Sequence, residues 1–266
     1  MELRRAAMVV HQTKPGAAEA AEELTRIFGD NGIAVTEQDP DLIVSLGGDG
    51  TMLRAAQFAH GADAPLLGIN LGTMGYLTEV DREQKDEAVK RVIEGDFELE
   101  ERMMLSCEVA TSGEQMSYVA LNEVLVERET PRRLVRLHVA VGGESLASFN
   151  ADGVIIATPT GSTAYALSAG GPIVSPRAEC IVIAPVNAHM MFARPVILAA
   201  DEVVDVTVEE QELQAALSLD GAIGCALTSG ATIRVARHPR PLRLIRLAGP
   251  GFLERLRSKM NLPGSG

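Results

Sequence analysis

The apolar run Leu42-Ile43-Val44-Ser45-Leu46 passes directly into Gly47-Gly48-Asp49-Gly50-Thr51, and a helical pattern follows at once over residues 52–58. A buried strand that feeds a glycine turn and then a helix belongs to an α/β sheet. The glycines let the backbone approach a bulky anion and take up positive φ. The helix start offers free N–H groups and the positive end of its dipole, which suit phosphate. Asp49 sits among them, where a carboxylate is able to accept a hydroxyl proton or hold Mg²⁺. No Gly-Lys-Ser/Thr follows, so this is not a Walker loop, and the spacing is not G-x-G-x-x-G. The plainer alternative is an ordinary glycine turn capped by Asp49.

The neighbouring pattern extends the same architecture. Residues 6–10, 42–46 and 66–69 read as strands, and 17–28, 52–58 and 82–93 as helices. Alternating strands and helices predict an open parallel sheet. From residue 99 to about 245 strands dominate, at 105–110, 117–126, 135–141, 153–157, 180–184, 203–208 and 232–235. Gly142-Gly143 and Ser229-Gly230 are turn signals among them. The predicted division is an α/β domain over 1–97 and a β-rich domain over 98–245. The tail 246–266 is helical at 251–260 and is expected to pack back on the first domain.

Composition narrows the partners. The 266 residues carry a formal net charge of −12 and no long Lys/Arg run. A nucleic-acid partner is therefore not expected, because a phosphate backbone needs a basic face. A polyphosphate ligand is still bindable through Mg²⁺, backbone N–H groups and a few placed cations. Cys107, Cys180 and Cys225 are far apart and odd in number, which fits a reducing compartment. The apolar run that ends at His11 is too short for a leader or a membrane span, so a soluble, cytoplasmic protein is expected.

Two more constellations carry chemistry. The first runs from Ala151-Asp152-Gly153 through Thr158-Pro159-Thr160-Gly161-Ser162-Thr163-Ala164-Tyr165 to Ser168-Ala169-Gly170-Gly171-Pro172. Its inventory suits a nucleoside, with Tyr165 as a stacking face, hydroxyls for ribose and phosphate, and Asp152 for an amide or amine. Ser162 or Thr163 is expected to cap the following helix; a Ser/Thr-rich loop with a cap is the alternative. The second is Asn122-Glu123, inside the apolar run 119–126. Adjacent strand residues face opposite sides, so one of the pair points to an apolar face unless a bulge intervenes. A polar group there needs a partner, either a ribose diol or backbone groups. Arg132 and Arg133 lie in the densest basic stretch, 128–136, either a solvated face or a phosphate contact. His189 reads equally as a packed histidine or as a neighbour of the site.

These constellations resemble the NAD kinase family. GGDGT at 47–51, the Asn122-Glu123 pair and TPTGSTAYALSAGGP at 158–172 stand in the family's order and rough spacing. Gly68-Ile69-Asn70 with Gly72, Gly75-Tyr76-Leu77 and Asn187-Ala188-His189 resemble further family blocks. Lipid kinases and phosphofructokinase-like enzymes share versions of GGDGT, but not the long second block. The resemblance implies phosphoryl transfer from ATP or polyphosphate to the 2′-hydroxyl of NAD's adenosine ribose. It implies a site between the two domains, a divalent metal such as Mg²⁺, and a homodimer or homotetramer. Asp49 would be the acid-base residue, with Gly50 and Arg54 near the reacting phosphates. Asn122, Glu123, Asp152, Thr160 and the run Thr163, Ala164, Tyr165, Ala166, Leu167 and Ser168 would hold the dinucleotide. Arg133 and Asn187 match ligand-contacting positions.

Two departures stand out. Family members often carry Gln after the late Asp-Gly, whereas Asp220-Gly221 here precedes Ala222. Asn150 occupies a position where the family often has Arg or Gly and which is linked to the choice between NAD and NADH. The rival readings are a lipid or sugar kinase, which lacks a basic amphipathic helix here, and a nucleotide sensor that binds NAD without turnover.

Overall fold

The computed structural model describes residues 2–72, 75–130, 133–189, 194–209, 215–247, 249 and 251–262. In chain order, the first elements are β1 (Arg5–Val10), α1 (Ala17–Asp30), β2 (Ala34–Val35), β3 (Leu42–Gly47), α2 (Asp49–Ala62), β4 (Leu66–Asn70), β5 (Val80–Asp81), α3 (Lys85–Glu94) and β6 (Glu98–Arg102). There follow β7 (Leu105–Thr111), β8 (Glu114–Ala120), β9 (Glu123–Arg128), β10 (Val135–Val141), β11 (Glu144–Ala151), β12 (Gly153–Ala157), the short α4 (Tyr165–Ser168), β13 (Cys180–Val186), β14 (Val196–Ala199), β15 (Val204–Val208), β16 (Ala215–Leu219), β17 (Ala222–Leu227) and β18 (Thr232–Arg237). The chain ends with β19 (Leu242–Arg246) and α5 (Phe252–Met260). None of the described helices is long and apolar enough to cross a membrane.

The chain forms two compact units, one of Met1–Glu101 with Leu242–Gly266, the other of Arg102–Pro241. The first holds a sheet in the order β2-β1-β3-β4-β19-β6, with β5 also paired to β4. The β1, β3, β4 and β19 pairings are parallel. Every residue of β3 is buried, as a central parallel strand covered on both faces must be. α1 turns Ala17, Ala20, Leu24 and Phe28 to the core at helical spacing.

The second unit pairs two antiparallel six-stranded sheets, β11-β10-β15-β18-β7-β8 and β14-β13-β12-β9-β16-β17. Val126, Val154 and Ile156 of one share a core with Leu137, Val206 and Ile233 of the other. The alternate residues Leu125, Ile155 and Ala157 pack on the reverse face with Ala166. β12 is thus buried on both sides, which explains its unbroken apolar sequence.

Several expectations need correction. The predicted single strand 117–126 is two strands, β8 and β9, broken at Leu121-Asn122. The helix predicted from residue 52 already begins at Asp49. β2, β5, β6, β11, β14, β16, β17 and β19 had no counterpart in the sequence reading.

Candidate active site

In the first unit, β3 ends at Gly47 and α2 begins two residues later, with Gly48 as its N-cap. None of Gly47, Gly48 and Gly50 takes positive φ, contrary to expectation. Gly47 is required for room instead, since a Cβ there would lie 2.1 Å from Thr51 Oγ1. Leu71 N–H donates to the Gly47 carbonyl (3.0 Å) and lays the 70–72 turn beside the glycines. Over that turn lies the Lys14 ammonium, so close that a Cβ on Gly72 would sit 2.4 Å from Nζ. Sequence reasoning did not single out Lys14.

Asp49 is fixed at both carboxylate oxygens. Tyr76 N–H donates to Oδ2 (2.9 Å) and Leu77 N–H to Oδ1 (3.1 Å). Gly75 lies so close that a Cβ would stand 1.9 Å from Oδ1. A carboxylate oxygen has two lone pairs, so each keeps acceptor capacity after one such bond. Burial and the Asp49 charge both raise the Tyr76 phenol above its usual pKa. Gly50 and Arg54 are exposed on the first turns of α2. No described group of three or more His, Cys, Asp or Glu side chains is arranged to hold a metal.

In the second unit, the break between β8 and β9 is built by a remote carboxylate. Asp220 and Gly221 form the two-residue turn between β16 and β17, both at positive φ (51° and 79°), as a type I′ hairpin requires. The Asp220 carboxylate accepts the N–H groups of Leu121 (2.8 Å), Asn122 (2.7 Å) and Glu123 (3.1 Å). Asn122 therefore stands outside the strand, and both it and Glu123 are buried. The alternation argument fails here because the ladder is interrupted. Ala222 opens β17 and is exposed, with no polar group to offer.

The segment 158–163 is stitched to this break. Thr158 N–H donates to the Asn122 carbonyl (2.8 Å), and Thr158 Oγ1 donates to that of Leu121 (2.6 Å). Gly161 is obligatory, since a Cβ would be 2.1 Å from the Asn122 carbonyl oxygen. Neither Ser162 nor Thr163 caps α4, contrary to expectation. Ser162 Oγ instead donates to the Pro159 carbonyl (2.7 Å) and accepts Val174 N–H (3.0 Å), which closes the loop. Thr163 bonds the Thr160 carbonyl, and Thr160 accepts from the buried Arg102 (3.3 Å).

A cavity of about 210 Å³ on this unit brings Asp152 and Tyr165 together with Leu125, Arg128 and Val186. Tyr165 is 42% exposed at the start of α4. Asp152 pairs with Arg128 Nε (2.5 Å) and accepts from Asn187 Nδ2 (2.7 Å). Asn187 adopts φ 48° to make that reach. Sequence reasoning named Asp152 and Asn187 but not their shared geometry, nor Arg128 as the partner. Ala164 and Leu167 are half-buried, Ala166 is buried and Ser168 is exposed. Arg133 is exposed, while Arg132 lies outside the described residues. Asn150 is exposed at the end of β11, and its carbonyl accepts His189 N–H (2.8 Å).

Glu123 is only 7% exposed, and its Oε2 has no hydrogen-bond partner among the described residues. Burial first, and then the Asp220 charge, push its carboxyl up from 4.5 to about 7. The fold favours the protonated form. Stability from this group is therefore full below about pH 4.5 and is lost as the pH rises through about 7. A shift of that size corresponds to on the order of 3 kcal/mol. Between pH 5 and 8 the wild type should lose stability relative to Glu123→Gln, whose side chain does not ionise. Denaturant midpoints of the two proteins that run parallel over this range would exclude the effect.

Two family models match successive parts of the chain, the second reaching past the second unit to include β19. Residues 33–97 match the ATP-NAD kinase N-terminal domain model and residues 121–247 the ATP-NAD kinase C-terminal domain model. An NAD kinase of Gemmatimonas aurantiaca is 41% identical over 248 residues, covering 92% of this chain and 86% of its own. One from Heliobacterium modesticaldum is 43% identical over 221 residues, covering 83% and 78%. Among solved structures, an NAD kinase from Archaeoglobus fulgidus in complex with ATP superposes with a TM-score of 0.78 at 27% identity, covering 98% of this chain and 100% of that one. Yeast NADH kinase complexed with NADH shares the fold, with a TM-score of 0.91 at 24% identity and coverage of 100% and 90%. With both of its domain models matched and relatives above two-fifths identity along most of its length, this chain belongs to the NAD kinase family of phosphotransferases.

Proposed function

We propose that this chain transfers the γ-phosphoryl group of ATP to the 2′-hydroxyl of NAD's adenosine ribose, giving NADP and ADP. The observation that carries the reading is the Asp49 carboxylate, held at both oxygens by backbone N–H groups at the start of a helix. Asp49 accepts the hydroxyl proton as the ribose oxygen bonds the γ-phosphorus and the bond to ADP breaks. A fixed base gains its effect mainly through placement, which contributes on the order of 7 kcal/mol in well-oriented reactions. The free N–H groups at the start of α2, with Gly50, Arg54 and Lys14, face the charge of the triphosphate. A lone carboxylate suits Mg²⁺, which takes one or two protein carboxylates and completes its shell with phosphate and water. When bound, the ion offsets charge on the triphosphate.

The dinucleotide is held by the second unit in this reading. The unpartnered Glu123 oxygen and Asn122 take ribose hydroxyls, and the 160–168 run lies along the nucleoside. Asp152, with Asn187 beside it, takes an amino or amide group, Arg133 contacts the ligand, and Asn150 bears on the choice between NAD and NADH. The relatives' names and the ATP-bound neighbour support the choice of substrates.

The test is incubation with NAD, ATP and Mg²⁺, with the product offered to a dehydrogenase strictly dependent on NADP. That enzyme reads the 2′-phosphate specifically. Binding of NAD without product would turn the reading towards a sensor, and product from polyphosphate alone would move the donor.

Tyr165 gives a second check. If its ring packs on the dinucleotide, Tyr165→Ala should weaken NAD binding by about 1–3 kcal/mol, the scale of base–aromatic stacking. Tyr165→Phe keeps the face and should cost much less. Equal losses by calorimetry would assign the effect to the hydroxyl, and no loss in either would remove Tyr165 from the site.

A further inference from the structure

The segment that grips Asp49 is itself gripped by the end of the chain. Arg255, in α5, is only 5% exposed. Its Nη1 donates to the Thr78 carbonyl, and its Nη2 donates to Glu79 Oε2 (3.0 Å). Glu79, 3% exposed, also accepts from Arg246 Nη1 (2.6 Å), Leu247 N–H (2.9 Å) and Gly249 N–H (3.2 Å). On the other side, Glu79 N–H donates to the Gly68 carbonyl of β4 (2.8 Å). Gly75 N–H donates to the buried Thr78 Oγ1 (3.3 Å). Residues 75–79 are thus clamped between the sheet and the C-terminal segment. Tyr76 and Leu77, in the middle of this stretch, present their amides to Asp49.

The most deeply buried side chain of α5 is charged rather than apolar. Arg255 is its one fully buried residue among those described; Phe252 and Leu256 beside it are half-buried and Leu253 is 69% exposed. An amphipathic helix docked for stability buries an apolar stripe. A buried ion pair is a weak source of net stability, but its geometry is demanding. The planar guanidinium fork fixes two acceptors at once, the Thr78 carbonyl and the Glu79 carboxylate.

We propose that the C-terminal segment is a positioning element for Asp49, acting through Arg255 and Glu79 on the 75–79 backbone. The inference rests on the role proposed above for Asp49. A shift of the Thr78 carbonyl carries the Tyr76 and Leu77 amides with it, and a misplacement of about 1 Å costs on the order of 10²-fold in rate.

The experiment compares Arg255→Met, Arg255→Lys and the exposed control Leu253→Ala in the full chain. Arg255→Met should lower kcat by about tenfold or more and leave KM for NAD and ATP within about twofold. Arg255→Lys should recover part of the loss, and Leu253→Ala should match the wild type. Amide hydrogen exchange at Tyr76 and Leu77 should quicken in Arg255→Met by about tenfold, with α1 unchanged. In an Asp49→Asn background the Arg255 substitution should cause no further fall. A folded Arg255→Met with wild-type kcat and wild-type exchange at Tyr76 and Leu77 would overturn the inference, as would an equal loss in the Asp49→Asn background. If Arg255→Met does not fold, Arg255→Lys decides by the same readouts. Wild-type turnover in Asp49→Asn alone would sink the role of Asp49 instead, and the exchange data would still judge the clamp.

Discussion

Asp49→Asn should turn over NAD at about a hundredth of the wild-type rate or less, within the range for a lost acid-base group. The substitution is nearly isosteric, but the amide accepts no proton at its nitrogen and carries no charge towards a metal. It has a second effect peculiar to this site. The carboxylate now accepts Tyr76 N–H at one oxygen and Leu77 N–H at the other. An asparagine amide offers only one acceptor, so its NH₂ meets one of these N–H groups donor to donor. The unmatched amide costs about 1–3 kcal/mol and loosens the grip on the side chain. NAD affinity should stay within about twofold, because the residues assigned to the dinucleotide lie on the other unit. Steady-state rates, with NAD binding by calorimetry, separate the two effects. A variant that keeps more than about a third of wild-type turnover would remove Asp49 from the chemistry.

Asp220→Ala should be the most damaging single change in the second unit. It strips the acceptor from three consecutive N–H groups, those of Leu121, Asn122 and Glu123. Hydrogen bonds to a charged acceptor contribute about 1.5–3 kcal/mol each, and the three are not independent. A loss on the order of 3–5 kcal/mol is expected, read as a lower denaturant midpoint. NAD binding should weaken by more than about tenfold in the fraction that stays folded, because the Asn122 carbonyl that receives Thr158 N–H shifts with the break. The Glu123 carboxyl should fall back towards its usual range but stay raised, since burial is the larger cause and the Asp220 charge the smaller. A variant with wild-type midpoint and wild-type NAD affinity would show that the break holds itself.

The parts of this structure that were legible in the sequence are those whose burial is two-sided or whose periodicity is local. β12 reads as a strand because both faces of Gly153–Ala157 are covered. α1 reads as a helix because Ala20, Leu24 and Phe28 repeat on one face. β6 was invisible, since Glu98–Arg102 is mostly charged and is a strand through its place in the sheet order rather than its composition. β16 and β17 hid for a related reason: their small residues have weak strand preference, and β16 owes its form to pairing with β9. The break at Leu121-Asn122 left no trace in an apolar run, because its cause, Asp220, lies 97 to 99 residues further on. The glycine turn was found, but none of its glycines takes positive φ, and only Gly47 is needed for space, with open room beside Gly48 and Gly50. The need for Gly75 arises only from Asp49, across a gap in sequence that no local pattern spans.

The position of β19 bears on how the molecule is made. It lies between β4 and β6 in the first sheet, in parallel register with β4 at Leu244 and Leu66, yet it is synthesised only after the whole of the second unit. A ribosome that has released residues 1–101 has released a sheet with a gap between β4 and β6, where the edge of β4 is covered by β5 at Ile69 and Asn70 but is open at Leu66. The intervening unit, Arg102–Pro241, is continuous in sequence and carries all of its own strands. Birth order and completion order are therefore reversed: the segment made first is finished last. The nascent first unit waits with an open backbone edge, the kind of surface that invites misplaced pairing.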